Sequence, residues 1–147
     1  MVKRGIGFKQ ITEIINQLKK KTHLFFVVTT LEYLIKGGRI GRVQGTIEKL
    51  LNLKSIISIG DDGKYYPIEM VRGRNRPFER LVSIEKGILN KVKCKVFVSY
   101  GRAEEEQVYK ELPKHSNAIS TSLGKISLVA SVHNGPGLVG IAFLETK

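Results

Sequence analysis

A β-hairpin between residues 54 and 71 is the sequence feature that most restricts the fold of this chain. The strand-like runs "KSIISIG" and "YYPIEMV" flank "DDGK", and its Asp-Gly pair is typical of a hairpin turn. Two strands alone cannot bury an apolar face, so the hairpin predicts a larger sheet that packs against a helix. We expect the hairpin isoleucines to divide between the two faces of that sheet, one of which contacts a helix at residues 76–90. These isoleucines are Ile56, Ile57, Ile59 and Ile68.

The rest of the chain alternates between helix-like and strand-like segments. Apolar residues recur at helical spacing in some segments, and β-branched and aromatic residues form short runs in others. Helices are predicted at residues 8–21, 31–36, 41–52, 76–90 and 102–115. Strands are predicted at residues 23–30, 54–60, 65–71, 94–101, 117–123, 126–132 and 138–144. This order predicts an α/β fold in which several helices pack on a mixed β-sheet that contains the hairpin.

The length of the chain and its cysteine content limit the number of domains and the disulfides that can form. The chain has 147 residues, which suits a single domain spanning residues 1–147. Cys94 is the single cysteine, so no disulfide can form within the chain, and its strand-like surroundings predict a small core residue. The first ten residues have no apolar signal-peptide core, and no run approaches the roughly 18 apolar residues of a membrane helix. We therefore expect a cytoplasmic protein without membrane insertion.

The formal net charge of +12 is the unusual number in the composition. A basic excess suits nucleic acid, an anionic ligand or an acidic protein partner, or it merely keeps a protein soluble. Here the charges are spread along the chain, with two short clusters. One is Lys19 to Lys21, and the other contains Arg72, Arg74, Arg76 and Arg80. A nucleic-acid-binding module and an interaction domain for an acidic partner both stay open as alternatives, although the pattern makes nucleic acid the weaker one.

Signatures of catalysis are missing from the sequence. The three histidines His23, His115 and His133 share no metal-ligand spacing, and no G-x-S-x-G nucleophile motif occurs. The acidic residues form no obvious catalytic pair. We therefore expect a binding protein rather than an enzyme, without a metal or a cofactor.

Two arginine-containing stretches are candidates for anion binding. In "KGGRIGR", glycines and Arg39 come just before a predicted helix, an arrangement that suits an anion but equally suits an ordinary helix end. In "VRGRNRPFER", the arginines lie between a predicted strand and a helix, where solvent-exposed arginines are common.

The stretch "SVHNGPGLVGIAF" is the third candidate. Gly135 and Gly137 can adopt positive φ and Pro136 fixes φ, so a rigid corner is expected directly after the strand predicted at 126–132. Two interpretations of His133 stay open at this point. It is either a donor held at a sheet edge to bind an anion, or a core histidine beside a turn.

Three stretches, in this order, resemble the C-terminal half of the DegV family, a group of bacterial fatty-acid-binding proteins. They are "FFVVTTLEYLIKGGRIGR", "LLNLKSIISIGDDGKYYPIEMVRGRNRPFERL" and "VHNGPGLVGIAF". Two positions depart from the family pattern. Asn134 stands where threonine is usual, and Gly41 stands where serine is common.

The resemblance implies a function for the third stretch. In this family a long acyl chain lies in an apolar tunnel, and the histidine before Gly-Pro-Gly faces its carboxylate. His133 inherits that role by motif match, Arg39 is the next candidate, and Asn134, Gly135 and Gly137 complete the expected ligand-binding set. Some members present the fatty acid to a kinase that phosphorylates it, which leaves the binding protein non-catalytic.

The resemblance also implies that an N-terminal lobe is absent from these 147 residues. Family members have two lobes, and the N-terminal lobe supplies hydroxyl groups that also hold the carboxylate. We therefore expect the exposed apolar surface to be covered either by that lobe or by a second copy of this chain.

Overall fold

The computed structural model describes residues 5–38, 53–73, 76–102, 116–135 and 137–146. Within these ranges the helices are α1 (Phe8–Lys20), α2 (Glu32–Lys36), α3 (Arg76–Leu89) and α4 (Leu128–Asn134). The strands are β1 (Thr22–Val27), β2 (Leu53–Ile59), β3 (Tyr65–Arg72), β4 (Cys94–Tyr100), β5 (Ala118–Lys125) and β6 (Val139–Glu145). The predicted helices at 41–52 and 102–115 lie outside the described residues, apart from Arg102.

The six strands form one sheet in the order β3-β2-β1-β6-β4-β5. Neighbouring strands are antiparallel except for β4 and β5, which run parallel. The sheet is therefore mixed, and the predicted α/β class is confirmed. Strands β1 and β6 pair at its centre, from Thr22 opposite Leu144 to Val27 opposite Val139.

The predicted hairpin is confirmed in β2 and β3. Its turn is closed by the Gly60 N–H, which donates to the Lys64 carbonyl at 2.9 Å, and Gly63 adopts a φ of 77°. Ile56 and Ile57 are buried on opposite faces of the sheet, and the core around Ile56 contains residues of α3. The hairpin isoleucines therefore do divide between faces, and α3 covers one of them.

Apolar side chains form two cores, one on each face of the sheet. The α3-side core contains Val27, Ile56, Leu81, Leu89, Cys94, Val96, Val98, Val139, Ile141 and Phe143. The α2-side core contains Phe26, Val28, Leu34, Ile57 and Leu138. Because side chains alternate along a strand, successive residues such as Phe26 and Val27 belong to different cores. Cys94 is fully buried in the α3-side core, and burial raises the pKa of its thiol, so its predicted core role is confirmed.

One predicted element is wrong. Residues 126–132 were expected to form a strand, but Leu128–Asn134 form a helix. The Ser127 hydroxyl caps this helix by accepting a hydrogen bond from the Ala130 N–H at 3.2 Å. The cap satisfies one of the free N–H groups in the first turn, and it outweighs the weak strand preference of two valines. His133 therefore lies on a helix that precedes the central strand β6, and not at a sheet edge.

Candidate functional site

Gly135 and Gly137, which we call the glycine corner, connect α4 to β6. Gly135 ends α4 with φ 83° and ψ 161°, a backbone conformation that is essentially restricted to glycine. Its N–H donates to the Ser131 carbonyl at 2.8 Å. A Cβ atom at Gly135 would also lie only 2.8 Å from Cδ2 of the Tyr33 ring, so both the backbone and the available space require glycine.

Close approach is the reason for the second glycine. A Cβ atom at Gly137 would overlap the side chain of Thr29, which follows β1. The next residue, Thr30, accepts a hydrogen bond from the Glu32 N–H at 3.2 Å and so supports the start of α2. The segment from Thr29 to Tyr33 therefore packs directly on the glycine corner. Pro136 lies outside the described residues.

The last turn of α4 carries the two polar residues of the candidate site. His133 is half-buried, and Asn134 is 9% exposed. The Asn134 Nδ2 donates to the Ala130 carbonyl at 2.9 Å, whereas its Oδ1 has no hydrogen-bond partner among the described residues. A buried polar atom without a partner costs about 1–3 kcal/mol, so this oxygen is available to a donor.

The glycine corner borders the α2-side core. Leu138 follows Gly137 directly, is 7% exposed and belongs to that core together with Phe26, Val28 and Leu34. A polar histidine and a buried amide thus lie beside an apolar cluster on the same face of the sheet. This arrangement suits an amphiphilic ligand with a polar head and an apolar chain.

The structure describes four of the five predicted site residues, and these four are neighbours in the sequence. His133, Asn134, Gly135 and Gly137 are consecutive or nearly so, whereas Arg39 lies outside the described residues. Sequence reasoning missed Thr29 and Tyr33. Both lie within the stretch that carries the family resemblance, but their contacts with the glycine corner join distant parts of the chain and leave no spacing pattern.

A separate polar cavity of about 590 Å³ lies at the opposite end of β1. It is lined by the end of α1, the start of β1 and the turn of the hairpin. None of the predicted site residues that the structure describes lines this cavity. Two contacts stabilise this end of the sheet. Lys19 Nζ donates to the Asp61 carbonyl at 2.7 Å, and His23 pairs with Glu145 at 2.7 Å.

Neither a metal-binding cluster nor a membrane-spanning helix occurs among the described residues. Across the part of the chain that the structure describes, no group of three or more histidine, cysteine, aspartate or glutamate residues could hold a metal ion. Within the same residues, no helix combines the length and the hydrophobicity that a membrane crossing needs.

A family model described as "Uncharacterised protein, DegV family" matches residues 1–146. The chain belongs to the DegV family. A DegV domain-containing protein of Clostridium acetobutylicum is 47% identical over 150 residues, which cover 99% of this chain and 53% of that protein. The chain spans about half the length of the curated relatives it matches.

Solved structures of DegV proteins share the fold. A fatty acid binding DegV family protein from Streptococcus agalactiae is 26% identical with a TM-score of 0.84, covering 99% of this chain and 52% of that chain. A stearic acid-binding protein from Eubacterium ventriosum is 28% identical with a TM-score of 0.74, covering the same shares. The predicted DegV resemblance and fold are thus confirmed, and the names of both neighbours describe the binding of a fatty acid rather than a reaction.

Proposed function

We propose that this chain binds a long-chain fatty acid, with the carboxylate at His133 and the acyl chain in an apolar tunnel beside the α2-side core. The proposal rests on one observation. In this member of the DegV family, the half-buried His133 and the glycine corner lie beside the α2-side core. The fatty-acid-binding neighbours of the same fold support the choice of ligand class.

The polar end of the ligand has a small set of proposed contacts. An imidazole N–H of His133 donates to the carboxylate, and charge-assisted hydrogen bonds of this kind are among the stronger ones in proteins. Gly135 and Gly137 keep side chains out of the space beside the carboxylate, and Asn134 lines it. Arg39, which matches the arginine of the family's Gly-Gly-Arg motif, is proposed as a second cationic contact.

The apolar end supplies most of the affinity. Each methylene removed from water contributes about 0.8 kcal/mol, so a long chain gains far more from burial than from its single head group. The few polar contacts then decide which end of the ligand lies at the glycine corner.

We further propose that the protein is a non-enzymatic, cytoplasmic carrier that needs no cofactor. Its binding function is complete without a chemical step, and a fatty-acid kinase is the partner that would act on the bound carboxylate. The chain would correspond to the C-terminal lobe of a two-lobed DegV protein, with an N-terminal lobe supplying further hydroxyl contacts. This lobe assignment is consistent with a chain half as long as its curated relatives.

A direct binding experiment tests the proposal. Protein purified from bacteria and extracted under denaturing conditions should release long-chain fatty acid in mass spectrometry, and the delipidated protein should bind it again. A fatty alcohol of equal length should bind more weakly, because it lacks the charge that His133 recognises. Absence of both bound lipid and rebinding, while nucleic acid binds with a steep salt dependence, would favour the basic-module alternative instead.

The exposed apolar face of α4 leads to a prediction about assembly. Leu128, Val129 and Val132 are 86%, 71% and 68% exposed, which is unusual for three neighbouring large apolar residues on one short helix. Without a second lobe, we expect the chain to associate through this face, so that light scattering at high concentration gives a dimer or larger species. Serine at positions 128 and 132 should restore a monomer, whereas serine at Ile68, an exposed residue of β3, should not. A monodisperse wild-type monomer would count against this assembly.

A further inference from the structure

Tyr33 on α2 is in direct contact with the candidate site. Its ring lies against Gly135, because a Cβ atom there would be 2.8 Å from Cδ2, 3.2 Å from Cε2 and 3.4 Å from Cγ. Gly135 is buried, whereas Tyr33 is 39% exposed. The ring therefore lies between the glycine corner and solvent.

Packing of α2 fixes the direction in which Tyr33 points. The next residue, Leu34, is completely buried in the α2-side core, which sets the rotation of this short helix. On the same helix, Lys36 is held by Glu32 through a 2.7 Å ion pair. Lys36 thus pairs with Glu32 and also interacts electrostatically with Tyr33, whose ring lies beside Gly135.

Tyr33 interacts electrostatically with Lys36, and among the described residues its hydroxyl has no hydrogen bond. A phenolic O–H can donate to a carboxylate oxygen, and the ring supplies an apolar surface beside the first methylenes of an acyl chain. Covering Gly135 also keeps water away from the head group, which strengthens every hydrogen bond made there.

We infer that Tyr33 is a further ligand-binding residue, whose ring covers the glycine corner and whose hydroxyl donates to the ligand carboxylate. The inference rests on the proposed function and deepens it. It adds a donor that comes from α2, and this donor strengthens the preference for a charged acceptor such as a carboxylate.

The test compares Tyr33→Phe, which removes only the hydroxyl, with Tyr33→Ala, which also removes the ring. Affinities for a saturated long-chain fatty acid and for the fatty alcohol of equal length are measured by calorimetric titration. Tyr33→Phe should weaken the acid about three- to tenfold and the alcohol less, because a hydrogen bond to a charged acceptor is the stronger one. Tyr33→Ala should weaken the acid further and the alcohol as well, because the cover is lost.

Tyr66→Phe is the matched control, since Tyr66 is 37% exposed and lies on β3, away from the glycine corner. It should bind both ligands as the wild type does, and thermal unfolding should show that all variants fold. Equal acid affinity of wild type and Tyr33→Phe overturns the inference. If His133→Ala still weakens the acid in that case, the proposed function survives, whereas failure of the wild type to bind any fatty acid overturns both.

Discussion

Replacing His133 with alanine should weaken the binding of a long-chain fatty acid about ten- to hundredfold. The expected loss is that of one charge-assisted hydrogen bond to a partly desolvated carboxylate, about 1.5 to 3 kcal/mol. A fatty alcohol of equal length should bind the variant and the wild type almost equally. The measurement is a calorimetric or fluorescence titration of both ligands, in parallel with and without the N-terminal half of a full-length DegV relative added as a separate chain.

His23→Ala is the matched control for this prediction. His23 lies at the opposite end of β1, where it pairs with Glu145, so its removal should leave the affinity for the acid unchanged. If His133→Ala weakens the acid and the alcohol to the same extent, the imidazole is a packing residue. His133 would then be a core histidine beside a turn.

Glu85 should make the free energy of unfolding fall as pH rises through neutrality. This residue lies on the buried side of α3 with Leu81 and Leu89, is 2% exposed, and its Oε2 has no hydrogen-bond partner among the described residues. Burial raises the pKa of its carboxyl from 4.5 to about 7, and the nearby Lys86 opposes this only in part. A raised pKa in the folded state means that the group favours folding most below pH 4.5, and that this contribution is lost as pH rises through about 7.

Above pH 8 we expect the free energy of unfolding to be about 3 kcal/mol lower than below pH 4.5, because each pKa unit corresponds to about 1.4 kcal/mol. Glu85→Gln cannot ionise, so denaturant unfolding at pH 5 to 8 should show it near wild-type stability at pH 5 and clearly more stable at pH 8. Glu79→Gln, an exposed position on the same helix, should keep the wild-type pH dependence. If the free energy of unfolding depends on pH in the same way in the wild type and in Glu85→Gln, the Glu85 carboxyl does not cause the pH dependence.

The part of the fold that rests on local patterns was predictable from the sequence. Three local patterns predicted their elements correctly: the Asp-Gly turn, the apolar periodicity of α3 and the β-branched run of β1. In each case the local preference for turn, helix or strand agrees with the tertiary packing. The buried position of Cys94 follows from strand alternation in the same way. These elements agree with the structure because local and tertiary preferences coincide.

The helix α4 was missed because its signals conflict. Val129 and Val132 favour strands, and only Ser127 before the helix and Gly135 after it mark its ends. The candidate site was predictable only in part for a different reason. His133 and its glycines form a continuous stretch, but Tyr33 and Thr29 reach them through tertiary contacts that no spacing in the sequence encodes.

The position of β6 in the sheet ties the geometry of the candidate site to the joining of two half-sheets. This strand follows the other five in chain order, yet it pairs between β1 and β4 and joins the β3-β2-β1 half of the sheet to the β4-β5 half. Until β6 inserts, each half exposes an unpaired edge, and the contacts of the glycine corner with Thr29 and Tyr33 cannot form. If the proposed function is correct, a chain whose two half-sheets are not yet joined should bind fatty acid only after β6 has paired with both β1 and β4.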